Sequence, residues 1–134
     1  MGVRSFDETR DREAPRVLEG HWLNGEIARL ELDAVTLIVA VKPNCDGCRA
    51  FAELNLADLD GLDVVIVSAT TLDSEEWSQS VRPVLVSPST FDALDVRWPP
   101  SYVLIDPVSQ RVLTEGVVFS PQQVATEIDR FRQP

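Results

Sequence analysis

The chain has 134 residues, of which 44% are hydrophobic and 25% charged, so one globular domain that folds without a disulfide or metal staple is expected. Its 22 acidic and 12 basic residues leave a net charge of -10, which repels phosphate backbones and anionic lipid and excludes nucleic acid as a natural partner. Two cysteines exclude both a disulfide-rich scaffold and any site built from four thiolates.

Residues 1–16 are rich in Arg, Asp and Glu and hold no apolar run. They are expected to form a flexible lead-in to a single domain over 17–134. No signal-peptide core is evident, and no stretch approaches the ~20 apolar residues that span a bilayer. A cytoplasmic location is therefore expected, with no membrane segment in the chain.

Residues 17–23 and 26–30 flank Asn24-Gly25, which predicts a hairpin closed by a type I′ turn with both central residues at positive φ. Residues 35–41 form a continuous run rich in β-branched side chains. Such a run suits a strand buried on both faces, as in a parallel sheet covered by helices. Phe51, Leu54, Leu56 and Leu59 recur at near-helical spacing over 50–59. A second buried strand follows over 63–68. Asp73 opens a short helix, with Glu76 as its capping-box partner. A brief strand over 84–86 and a short helix over 89–94 come next. Residues 101–106 and 112–119 read as an antiparallel pair joined by a turn around 107–110. Ser120, Pro121 and Gln123 sign the start of a last helix, whose apolar face is Val124, Ile128 and Phe131. Strands that alternate with helices and end in a hairpin plus helix predict an α/β domain with a mixed central sheet.

The chemistry lies in Cys45-Asp46-Gly47-Cys48. Two cysteines scattered over the chain would stand three apart in roughly 1.5% of arrangements, so the spacing is informative. It falls straight after a buried strand and at the start of a helix. There the free N–H groups and the macrodipole would stabilise a thiolate on the first cysteine. The second, a turn further on, could resolve a mixed disulfide. Two other readings compete with dithiol–disulfide exchange. A zinc site would need further ligands, and the one histidine, His21, supplies at most a third. The pair could also be inert buried thiols in a fold without turnover.

These residues resemble the thioredoxin superfamily, in its branch of thiol–disulfide oxidoreductases and redoxins with an extra β-α insertion. Three stretches carry the resemblance: residues 36–48, ending in the Cys pair; residues 98–106, Trp-Pro-Pro-Ser-Tyr-Val-Leu-Ile-Asp; and residues 111–116 with the terminal helix. The likeness covers about residues 17–132. It implies a three-layer α/β/α thioredoxin-like fold with a mixed sheet and an N-terminal hairpin. It also implies that Cys45 attacks, that Cys48 resolves, and that Pro100 is the cis-proline shaping the substrate groove with Pro99 and Trp98.

The sequence departs from the family pattern in several places. Asn44 replaces the aromatic residue that usually precedes the first cysteine. Val39 stands where many members carry a buried acid. Pro99 lacks the N–H that members commonly offer to substrate backbone. Asp46 disfavours a thiolate, while Lys42 and Arg49 offset it. The pair is accordingly expected to be reducing, with a potential well below the about -120 mV of strong oxidants. Lys42 also occupies the position at which peroxiredoxins place a peroxide-binding Thr or Ser. The expected function is thiol–disulfide exchange with a disulfide-bearing protein, supplied by an electron-donor reductase and needing no metal or other cofactor. A monomer is expected. The alternatives are a non-catalytic thioredoxin-fold binding module and, after it, a peroxiredoxin-like peroxidase.

Overall fold

A computed structural model describes residues 13–42, 62–72, 83–97, 99–117 and 121–132. Seven strands lie among the described residues: β1 (Val17–Trp22), β2 (Ile27–Glu31), β3 (Thr36–Val41), β4 (Asp63–Ser68), β5 (Val84–Val86), β6 (Ser101–Asp106) and β7 (Arg111–Val117). Two helices are described, α1 (Pro88–Leu94) and α2 (Pro121–Arg132). The helices expected over 50–59 and from Asp73, and the cap Ser120, lie outside the described residues.

The strands form one mixed sheet in the order β2-β1-β5-β4-β3-β6-β7. The pairs β3–β4 and β4–β5 are parallel, and every other neighbouring pair is antiparallel. The run read as doubly buried is indeed central, because every residue of β3 is buried between β4 and β6. Alternation along β3 then divides the core in two. Leu37, Val39 and Val41 pack with Ile66, Tyr102, Leu104 and the α2 residues Val124 and Ile128. Ile38 points the other way, into a cluster holding Val67, Leu85, Val103 and the α1 residue Leu94. One described helix therefore covers each face, which makes three layers. Each fully buried Leu or Ile contributes about 1.5–3 kcal/mol, so these two clusters carry most of the driving force.

Two local readings are corrected. The hairpin turn is not type I′: Gly25 has φ 91°, and Asn24 is not at positive φ. The Gly25 N–H donates to the Trp22 carbonyl and the Trp22 N–H to the Glu26 carbonyl, each at 2.9 Å. That geometry is a three-residue loop, a type I turn with glycine in the bulge, and Asn24 Oδ1 accepts from the Glu26 N–H at 2.9 Å. Helix α1 begins one residue earlier than expected, since Pro88 takes its first turn and Ser87 caps it. Ser87 Oγ accepts from the Thr90 N–H at 3.3 Å and donates to the Glu19 carbonyl at 2.6 Å, tying the helix start to β1.

The end of the lead-in is also held in the fold. The backbones of Glu13 and Arg111 form an isolated antiparallel β-bridge, the Ala14 N–H donates to the Gln110 carbonyl at 2.9 Å, and Ala14 is buried. The Arg16 carbonyl accepts from the Leu32 N–H at 2.8 Å. A small apolar side chain at 14 fits into the second core cluster, which holds Glu13 and Ala14 against the β6–β7 connection.

Candidate functional site

The sheet end at which β3 finishes is the candidate site. Val41 closes β3 and is buried, whereas Lys42, the chain's one lysine, is exposed. Ala40 pairs with Ser101 in the last pair of the β3–β6 ladder, and Pro100 directly precedes Ser101. The Pro99–Pro100 peptide bond is cis, and both prolines are half-buried. On the far side of β6, Ser101 pairs with Val117, which is 49% exposed. On the far side of β3, Val41 pairs with Ser68. Ser68 is fully buried, donates from Oγ to the Thr70 carbonyl at 2.7 Å, and accepts the Ser87 N–H at its own carbonyl at 2.8 Å. The ends of four neighbouring strands are thus fixed around the point where the chain leaves for Cys45.

Of the residues singled out from the sequence, Lys42, Pro99 and Pro100 come together at this sheet end. Cys45, Asp46, Cys48, Arg49 and Trp98 lie outside the described residues. His21 sits within β1, paired with Ile27 and Val86 on the other half of the sheet, and takes no part in this group.

Tyr102 is the functional-site neighbour that sequence reasoning passed over. It follows Pro100 by two residues, is 2% exposed, and pairs in register with Val39, the position from which the expected buried acid is missing. Its ring lies over Gly116 of β7, where a Cβ would stand 3.1 Å from Tyr102 Cε1. The phenol hydrogen-bonds to Thr114 of β7 and donates to the carboxylate of Glu127 on α2. The other carboxylate oxygen, Glu127 Oε2, is buried without a hydrogen-bond partner among the described residues. A tyrosine two residues after a proline pair, followed by a Gly on the partnering strand, was the available signal.

Burial pushes the Tyr102 phenol above its ordinary value of 10.0, and the negative charge of Glu127 adds to the shift. Above pH 10 the unfolded chain loses the phenolic proton while the folded chain keeps it. Stability is therefore complete below that pH and falls as pH rises through the folded value. Because Tyr102 is the only tyrosine, absorbance at 295 nm should report one phenolate transition, centred above pH 10 in the native protein. Tyr102→Phe should remove the tyrosine-linked part of the alkaline loss of stability.

Among the described residues, no helix is long and apolar enough to cross a membrane. No protein-family model matches the chain, and no curated protein sequence matches it. Solved structures do share its fold. A protein from Chlorobium tepidum assigned as a thiol:disulfide interchange protein DsbE is 22% identical, with a TM-score of 0.67 over 91% of this chain and 94% of that one. The thioredoxin domain of a thiol-disulfide oxidoreductase from Bacteroides vulgatus is 15% identical, with a TM-score of 0.67 over 92% of this chain and 98% of its own. A peroxiredoxin-like protein from Aquifex aeolicus is 14% identical, with a TM-score of 0.60 over 91% and 86%. The chain has the thioredoxin-like fold.

Proposed function

We propose that the chain is a thiol–disulfide oxidoreductase that reduces disulfides in a protein partner through Cys45 and Cys48. The observation that supports this best is the last pair of the β3–β6 ladder, Ala40–Ser101, which lies one residue before the end of β3 and directly after the cis Pro99–Pro100 bond. Three intervening residues, four peptide steps spanning at most about 14 Å, link Val41 to Cys45. The thiol–disulfide enzymes that share the fold add support, and a redox role is the coarse function common to these neighbours.

The reaction balances as two sulfur exchanges. The Cys45 thiolate attacks one sulfur of the partner disulfide, forming a mixed disulfide and expelling the partner's other sulfur as a thiolate. The Cys48 thiolate then attacks Cys45 Sγ and releases the second partner thiolate. Two electrons pass to the partner, and the chain is left as the Cys45–Cys48 disulfide. A dithiol donor, in vivo a reductase, restores the starting state. Lys42 stands on the approach to Cys45 and favours its thiolate, against the opposing charge of Asp46 in the sequence between the cysteines. Peroxide chemistry is less well served, since an exposed lysine stands where a peroxide-binding hydroxyl would be needed.

The test is a redox cycle. With dithiothreitol as electron source the protein should reduce insulin, and thiol alkylation should count two free thiols after reduction and none after oxidation. Accessible thiols without any turnover would instead favour a binding module that holds its partner in the same groove.

A further inference from the structure

We propose that the outer edge of β2 is a self-association surface, on which a second copy of this chain adds its own β2 antiparallel and joins the two sheets into one. β2 is the terminal strand of the sheet, and among the described residues no strand pairs with its outer side. The hydrogen bonds of the hairpin fix which of its backbone groups face outward. The Trp22 N–H donates to the Glu26 carbonyl and the Leu32 N–H to the Arg16 carbonyl, so these two facing pairs are of the bonded kind. The register runs unbroken between them, and bonded pairs alternate with unbonded ones along an antiparallel ladder. Ala28 and Leu30 therefore bond inward to β1, whereas Ile27, Arg29 and Glu31 turn their N–H and C=O groups outward.

An edge that carries charges of one sign keeps other strands away. This edge instead alternates. Arg29 and Glu31 are both exposed and share a face, with Arg29 Nη2 3.7 Å from Glu31 Oε1. A second β2 laid antiparallel about a two-fold axis at Leu30 sets Arg29 opposite Glu31 of the second copy, and Glu31 opposite its Arg29. Both residues of each such pair present outward groups, so the pair exchanges both main-chain bonds. Registers centred on Arg29 or on Glu31 would oppose like charges, which is unfavourable. On the other face, the favoured register brings the half-buried Leu30 against its own copy, at the rim of the second core cluster. Arg29 also bonds Glu19 Oε1 at 2.7 Å, but its side chain is 58% exposed and has further donors for a second carboxylate. A two-fold contact of this kind uses the same patch on both copies and closes at a dimer.

Sedimentation equilibrium of the full chain tests this. The interface is one short strand, so the association is weak, and the mass should rise from 14.9 kDa toward twice that value between about 5 and 500 µM. Glu31→Arg and Arg29→Glu each set like charges opposite in the symmetric dimer, and each should weaken dimerisation at least about 10-fold. Mixed one to one, the two variants again oppose unlike charges at both pairs, and the mixture should dimerise as the unaltered protein does. Amide exchange reads the backbone: the Arg29 and Glu31 amides should slow as concentration rises, while those of Ala28 and Leu30 are slow throughout. A mass that stays at 14.9 kDa over the whole range, a dimer that neither substitution weakens, or a mixture that stays monomeric would overturn the proposal. A dimer that leaves the Arg29 and Glu31 amides unprotected places the contact elsewhere and overturns it too.

Discussion

Gly20→Ala is expected to destabilise the fold by about 3 kcal/mol or more, at or beyond the upper end of typical overpacking costs. Gly20 lies in β1, between β2 and β5, and a Cβ there would be driven into the carbonyl oxygen of Val86, with Ser87 Cβ 3.1 Å away. The obstacle is backbone and not the tip of a flexible side chain. Val86 pairs with Ser68 on its other side, and Ser87 caps α1 while bonding to the Glu19 carbonyl. Relief of the clash would therefore disturb β1, β5 and the start of α1 together. Such a loss is a large part of a small domain's total stability of about 5–15 kcal/mol. Urea unfolding should show a much lower midpoint with little change in slope. A midpoint close to that of the unaltered protein would mean that β1 sits further from β5 than described. Gly25 offers a contrast: a Cβ there meets nothing within 4 Å, so only its φ of 91° resists substitution.

The largest effect on activity is expected from Cys45→Ser, which should lower insulin reduction by at least about 100-fold, to the level set by dithiothreitol alone. A serine hydroxyl stays protonated at neutral pH and cannot exchange into a disulfide, so no mixed disulfide forms. The remaining thiol at Cys48 should still titrate, which separates lost chemistry from lost folding. Retention of more than a tenth of the activity would show that Cys48, and not Cys45, makes the first attack.

Most of the sheet was legible in the sequence because its strands announce themselves locally. Residues 36–41 are apolar without interruption, and that pattern is what a central strand between β4 and β6 requires. The helix α2 was legible through Val124 and Ile128, which share one face and are both fully buried. Features set by partners far along the chain were not legible. The Asn24-Gly25 pair fits a type I′ turn, but the β1–β2 register holds His21 opposite Ile27, which leaves room for a three-residue loop with the positive φ only at Gly25. Helix α1 starts at Pro88 and not at Ser89, with Ser87 as its cap, because the Glu19 carbonyl, on a strand 68 residues earlier, accepts the Ser87 hydroxyl. Ala14 read as lead-in because its partner, the Gln110 carbonyl, is at the other end of the sequence. The Tyr102–Glu127 contact was hidden for the same reason: a buried phenol on a strand reveals nothing locally about the helix residue that accepts its hydrogen bond. At the site, the Pro99–Pro100 pair could be placed from its position ahead of an apolar strand, and the last pair of the β3–β6 ladder, Ala40–Ser101, directly follows it.

The most direct test of dithiol chemistry is covalent trapping with Cys48→Ser. Without a resolving thiol, the Cys45 thiolate should still attack a protein disulfide but should then remain bound to it. Mixed with a disulfide-bearing protein, the variant should form a one-to-one adduct through Cys45 that dithiothreitol dissolves and that the unaltered protein does not accumulate. A Cys45 that alkylates freely in the variant yet forms no adduct would contradict the exchange mechanism.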